Sequence, residues 1–156
     1  MYRRILVALD GSPTSTQSLE EALCVARLTK ARVRLLHVVD EMKHVTGYET
    51  FTAYTHDVLP RLRSGGEQVL KQGLEQAARA GVEADSRLVM TSCDRVCDVV
   101  ADQARLWDAD LIVLGTHGRR GVDRVLLGSD AEQILRIAPA PVLLVRGSAT
   151  QEPVRA

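Results

Sequence analysis

Five short apolar runs constrain this chain more than any other feature. They are residues 5–9 (ILVAL), 33–39 (VRLLHVV), 82–90 (VEADSRLVM), 110–114 (DLIVL) and 142–145 (VLLV). Runs that are apolar on consecutive residues suit strands buried on both faces; the third alternates imperfectly. Between the runs lie longer stretches whose apolar residues recur at helical spacing. The resulting order, β-α-β-α-β-α-β-α-β, predicts a parallel sheet covered by helices on both faces. Such sheets bind ligands beyond the carboxyl ends of the strands, where the strand order reverses.

Local signals punctuate this pattern. Ser12 and Pro13 read as the N-cap and first residue of a helix that ends near Lys30, with Leu19, Ala22, Leu23, Ala26 and Leu28 on its apolar side. Residues 40–55 read as a loop or the frayed start of the next helix. From 58 to 80 the spacing is helical again, through Leu62, Val69, Leu70, Leu74, Ala77 and Ala78. Pro60 starts or kinks that helix, Gly65-Gly66 is a weak point in it, and Gly81 suits its C-terminal cap. Thr91 or Ser92 is placed to cap a fourth-strand-bound helix with Val96, Val99, Val100, Ala104 and Leu106 on its apolar side, closed by Trp107. The last helix covers 128–137. Residues 1–147 are expected to form one domain, with 148–156 as a flexible tail.

The chain has 156 residues, 46% of them hydrophobic, enough for a packed core. Basic and acidic residues number 20 each. That balance argues against holding nucleic acid or a membrane surface by bulk charge, and does nothing to oppose self-association. Aromatic residues are 3%, too few for base-stacking platforms. No apolar stretch approaches the roughly 18 residues of a membrane span, and the apolar run after Arg4 is too short for a signal sequence. A cytoplasmic protein is expected, and three scattered cysteines do not form a disulfide framework.

Chemistry concentrates in residues 115–129, GTHGRRGVDRVLLGS, which join the fourth apolar run to the last helix. Its glycines permit positive φ or close approach to a ligand. Ser129 lies at a helix start, where unpaired N–H groups and the helix dipole favour an anion. The expectation is a phosphate cradle; the alternative is a surface loop with turn glycines. The spacing Gly115-x2-Gly118-x9-Gly128-Ser129 is neither a G-x-x-x-x-G-K-[ST] loop nor a G-x-G-x-x-G turn after the first strand.

At these residues the chain resembles the universal stress protein family, in its ATP-binding branch. The opening ILVALDGS at 5–12, LLHVV at 35–39 and APAPVLLVR at 138–146 carry the same resemblance, which spans about residues 2 to 146. The resemblance implies a Rossmann-like five-stranded parallel sheet of order 3-2-1-4-5, of the adenine nucleotide alpha hydrolase type, with ATP in the crevice at the switch point. Carried over by position, Gly115, Gly118, Gly128 and Ser129 would hold phosphates and ribose. Asp10 would meet ribose hydroxyls, Val38 would line the adenine pocket, and Ala8 would flank them. It also implies a homodimer through the last strand, Val142–Val145, and a role in stress response or signalling.

One position departs from the family pattern. Asp130 stands where a small or apolar residue is usual. A carboxylate in a first helical turn suits the dipole but repels a triphosphate unless a divalent cation intervenes. Two readings follow: Asp130 helps hold Mg²⁺, or it weakens ATP binding. Arg119, Arg120 and Arg124 would neutralise phosphates or form an exposed basic loop. His117 would donate to a phosphate or serve as a turn residue, and it has no visible acid partner.

Other residues read more blandly. His37 suits a satisfied core histidine. Cys93 and Cys97, four apart, are expected on one face of a helix, without a zinc pattern; Cys24 is expected in the core. No nucleophile with an orienting base stands out, so no catalytic residue is named. Two rival functions remain: a slow metal-dependent nucleotide hydrolase, and a dimeric interaction module with a weak or empty nucleotide site.

Overall fold

The fold is a five-stranded, wholly parallel sheet of order β3-β2-β1-β4-β5. It is described from a computed structural model for residues 1–45, 47–48, 50–116 and 127–147. The strands are β1 (Arg4–Ala8), β2 (Arg32–Asp40), β3 (Ala84–Thr91), β4 (Leu111–Gly115) and β5 (Val142–Val145). The helices are α1 (Pro13–Thr29), α2 (Phe51–Ala53), α3 (Leu59–Arg79), α4 (Val96–Leu106) and α5 (Ser129–Ile137). The expected tail, 148–156, lies outside the described residues. Among the described residues no helix is long and apolar enough to cross a membrane.

Strand side chains alternate between two cores. Ile5, Val7, Leu9, Val33, Leu35, Leu111 and Val113 face α1 and α3. Leu6, Leu36, Ile112 and Leu114 face the opposite way and pack with Cys97, Val100, Ala104, Ala131 and Ile134 of α4 and α5. Burial on both sides explains why the central runs are apolar at consecutive residues. The carboxylate of Asp110 accepts the backbone N–H groups of Arg3 and Arg4 at 2.7 and 3.0 Å, fixing the start of β1 beside β4.

Helix ends follow their sequence signals in part. The Ser12 hydroxyl accepts the Ser15 N–H at 3.1 Å, and Pro13 follows it. Lys30 ends α1 in the left-handed region, with φ 56°. Leu28 is exposed, not on the apolar side, because it lies two residues beyond buried Ala26 and so on the opposite side of the helix. Leu106 is exposed for the same reason, two residues beyond Ala104. Thr91 and Ser92 do not cap α4; its N-cap is Arg95. Thr91 instead closes a turn, its hydroxyl accepting the Asp94 N–H at 3.0 Å. That turn places Cys93 before the helix, so Cys93 and Cys97 do not share a helical face: Cys93 is exposed and Cys97 buried. Cys24, expected in the core, is exposed.

The segment expected as a loop or a frayed helix start contains short helical turns among its described residues. A 3₁₀ turn, Glu41–His44, follows β2, and α2 leads through a π-helical turn, Tyr54–Val58, into α3. Pro60 has no N–H to offer the preceding turn, and the wider turn just before it, in which Leu59 N–H reaches the Tyr54 carbonyl, accommodates the loss. Gly65-Gly66 does not interrupt α3, and the missing side chains of Gly66 and of Gly73, a turn or two farther on, let the helix approach the sheet. A Cβ at Gly66 would stand 2.6 Å from Leu88 Cδ1, and one at Gly73 2.7 Å from Leu35 Cδ1.

Candidate nucleotide site

The sheet order reverses between β1 and β4, which are neighbours although their connections leave toward opposite edges. Among the described residues, the sequence-derived site residues lie at the carboxyl ends of β1, β2 and β4 and at the start of α5. Asp10 lies two residues beyond β1. Its carboxylate accepts the Ser12 N–H at 2.9 Å across Gly11, whose φ of 80° explains the glycine. Ala8 and Val38 are both half-buried on the α4–α5 side of the sheet, with Leu127 on the same side. They supply a short apolar wall beside the Asp10 carboxylate.

Gly115 ends β4. A Cβ there would stand 2.7 Å from Thr14 Cγ2 and 3.3 Å from Ser18 Oγ, so the glycine at this position answers to the packing of α1. Thr116 follows, buried, and clips both ends of the next connection. Its N–H donates to the Val145 carbonyl at 2.9 Å, and its carbonyl accepts the Gly128 N–H at 2.7 Å. His117, Gly118 and Arg119, with Arg120 and Arg124, lie outside the described residues.

Gly128 is the N-cap of α5, with φ −58°, so no positive φ is required of it. No side-chain cap is made to α5 among the described residues. The N–H groups of Ser129, Asp130 and Ala131 therefore have no partner within the helix and point out of its start, where they suit phosphate oxygens. Ser129 and Asp130 are exposed. Ribose hydroxyls suit the Asp10 carboxylate, the flat face of a base suits apolar Ala8 and Val38, and the N–H groups at the start of α5 suit phosphate, so these residues are chemically compatible with a nucleotide.

Two residues at this end were not read from the sequence. Lys43 Nζ lies 3.5 Å from Asp130 Oδ2 and 3.7 Å from Asp40 Oδ2, which ties the 3₁₀ turn after β2 to the start of α5. Asp130 and Lys43 are 87 residues apart, and neither lies in a pattern that marks the other. Farther along the same segment, the Tyr54 hydroxyl donates to Glu41 Oε2 at 3.1 Å. Burial, and then that acceptor, push the tyrosine's pKa above its usual value. His37 is a core histidine, its Nδ1 2.7 Å from the Leu9 carbonyl. Among the described residues no group of three or more His, Cys, Asp or Glu is gathered to hold a metal.

Comparison with known proteins agrees with this fold. The model of the universal stress protein family matches residues 1–146. A Staphylococcus haemolyticus relative named for that family is 33% identical over 146 residues, covering 93% of this chain and 85% of the relative. The crystal structure of a universal stress protein family member from Burkholderia pseudomallei is 35% identical, with a TM-score of 0.73 over 92% of this chain and 96% of that one. An Archaeoglobus fulgidus universal stress protein in complex with dAMP shares the fold at 23% identity and TM-score 0.65, over 92% and 98% of the two chains. An Arabidopsis thaliana family member with AMP bound does so at 19% identity and TM-score 0.68, over 98% and 97%.

Proposed function

Because the chain belongs to the universal stress protein family, we propose that it is an adenine-nucleotide-binding module that takes ATP, with Mg²⁺, and serves stress response or signalling in the cytoplasm. The observation that carries this reading is the convergence of the Asp10 carboxylate and the uncapped start of α5 at the switch point between β1 and β4. The AMP and dAMP complexes of proteins with this fold support the ligand class. In this reading Asp10 binds ribose hydroxyls, and Ala8 and Val38 line the base pocket. The backbone at Gly115, Gly118, Gly128 and Ser129 receives phosphates, with His117 and Arg119 beside them. Asp130 borders the outermost phosphates. Mg²⁺ would arrive on the phosphates, since it is commonly held by few carboxylates plus substrate oxygens.

We also infer a homodimer through β5. It ends the sheet at Val142–Val145, and a strand with one unpaired edge is a template for pairing with a second copy. Residues 1–147 would act as one domain. No nucleophile or base is assigned, so any hydrolysis would be slow and incidental.

The test is a calorimetric titration with ATP, with and without Mg²⁺, beside Gly118→Leu. Micromolar binding lost in the variant supports the site. Absence of binding with and without metal refutes the ATP assignment and leaves a dimeric interaction module.

A further inference from the structure

The start of α5 carries more negative charge than a phosphate cradle needs. Asp130 and Glu132 both lie in its first turn. Glu132 is paired within the helix, its Oε1 accepting from Arg136 at 2.7 Å. Asp130 is paired across the crevice mouth with Lys43, which Asp40 also holds. Three charged groups meet there, two carboxylates and one ammonium. A helix start offers the equivalent of roughly half a positive charge, and Asp130 already draws on it. A monophosphate can use the N–H groups of the first helical turn while Lys43 stays with Asp130. A metal-free triphosphate brings about two further negative charges and finds no uncommitted cation among these three groups.

We propose that Asp130 and Lys43 together set the phosphate-chain length that the crevice accepts, favouring a nucleoside monophosphate over a metal-free triphosphate. This rests on the adenine-nucleotide reading above. Asp130 is the discriminating charge, and Lys43 is the positioning residue that moderates it. Both side chains are about half exposed, so replacing either leaves the two cores untouched. Arg119, Arg120 and Arg124 are present in every variant, so the test compares affinity ratios between variants rather than absolute affinities.

The experiment measures AMP and ATP affinities in EDTA at low salt for the unaltered protein, Asp130→Asn, Lys43→Met and the double variant. Circular dichroism and melting temperature confirm that each is folded. Asp130→Asn should raise the ATP-to-AMP affinity ratio about threefold to tenfold, the effect of removing one like charge several ångströms from a doubly charged extension. Lys43→Met should lower the ratio by a similar factor, and the double variant should return near the starting value. Raising the salt to 0.5 M should shrink all of these differences. Saturating Mg²⁺ should shrink the effect of Asp130→Asn on ATP.

An unchanged ratio in Asp130→Asn, with nucleotides still bound, overturns the selector alone. Loss of Mg-ATP binding in Asp130→Asn with metal-free binding spared makes Asp130 a metal-holding residue and also overturns it. Absence of AMP and ATP binding in all four proteins overturns the nucleotide reading and the selector with it.

Discussion

Replacing Gly73 by alanine tests how closely α3 lies on the sheet. The added Cβ would stand 2.7 Å from Leu35 Cδ1, 3.2 Å from Leu9 Cδ1 and 3.4 Å from Leu19 Cδ2. All three leucines are buried, with exposures of 0%, 6% and 2%, so none can swing into solvent to make room. Alanine gains about 0.8–1.0 kcal/mol over glycine in a helix interior. Forcing an extra carbon into a packed core costs about 1–3 kcal/mol. The net expectation is a loss of about 0–2 kcal/mol. Gly65, in the same helix, has nothing within 4 Å of its ideal Cβ, so Gly65→Ala should keep the propensity gain alone. The two variants should therefore differ by about 1–3 kcal/mol. At about 2–4 °C per kcal/mol for a chain of this size, that is about 2–12 °C in Tm. Urea unfolding followed by far-UV circular dichroism gives the free energies, and scanning calorimetry gives Tm. If Gly73→Ala gains as much stability as Gly65→Ala, the close approach of α3 to β1 and β2 is refuted.

Other expectations can be checked on the same purified protein. Arg34 donates to both oxygens of Asp85 at 2.6 and 2.8 Å, and its Cζ lies 4.7 Å from the ring centre of Trp107. Asp85 holds the guanidinium's pKa above its usual value. Trp107 is the chain's one tryptophan, so Arg34→Met should change the intrinsic emission and cost about 1 kcal/mol. Arg34→Lys should not restore the loss, because an ammonium lacks the planar fork; unaltered emission in Arg34→Met would contradict the stack. A thiol-reactive chromophore should label Cys24 and Cys93 in the folded protein and Cys97 only after urea. Three rapid equivalents without denaturant would show that the α4–α5 core is open.

The sheet was legible because burial on both faces leaves a direct trace in sequence. The run at 142–145 coincides with β5, and the runs at 5–9 and 110–114 fall within one residue of β1 and β4. Where local patterns compete with tertiary packing, the reading was weaker. Gly66 looks like a helix breaker until a sheet lies against it. Thr91 looks like a helix cap, yet its hydroxyl closes a separate turn that moves Cys93 off α4. Leu28 and Leu106 count toward apolar composition but lie on exposed sides of their helices. At the site, Asp10, Gly128, Ser129 and Asp130 follow from strand ends and a helix start. Lys43 does not, because only the folded sheet brings the end of β2 to the start of α5.

The clip at Thr116 has a consequence for how such a chain can diversify. Its N–H and carbonyl tie it to Val145 and Gly128, so the stretch from 117 to 127 begins and ends at points the sheet already holds together. Both ties are made by backbone groups, so the ends of β4 and β5 and the start of α5 are joined without using any side chain. Substitution of Thr116 by any residue other than proline therefore keeps the means of holding β4, β5 and α5 together.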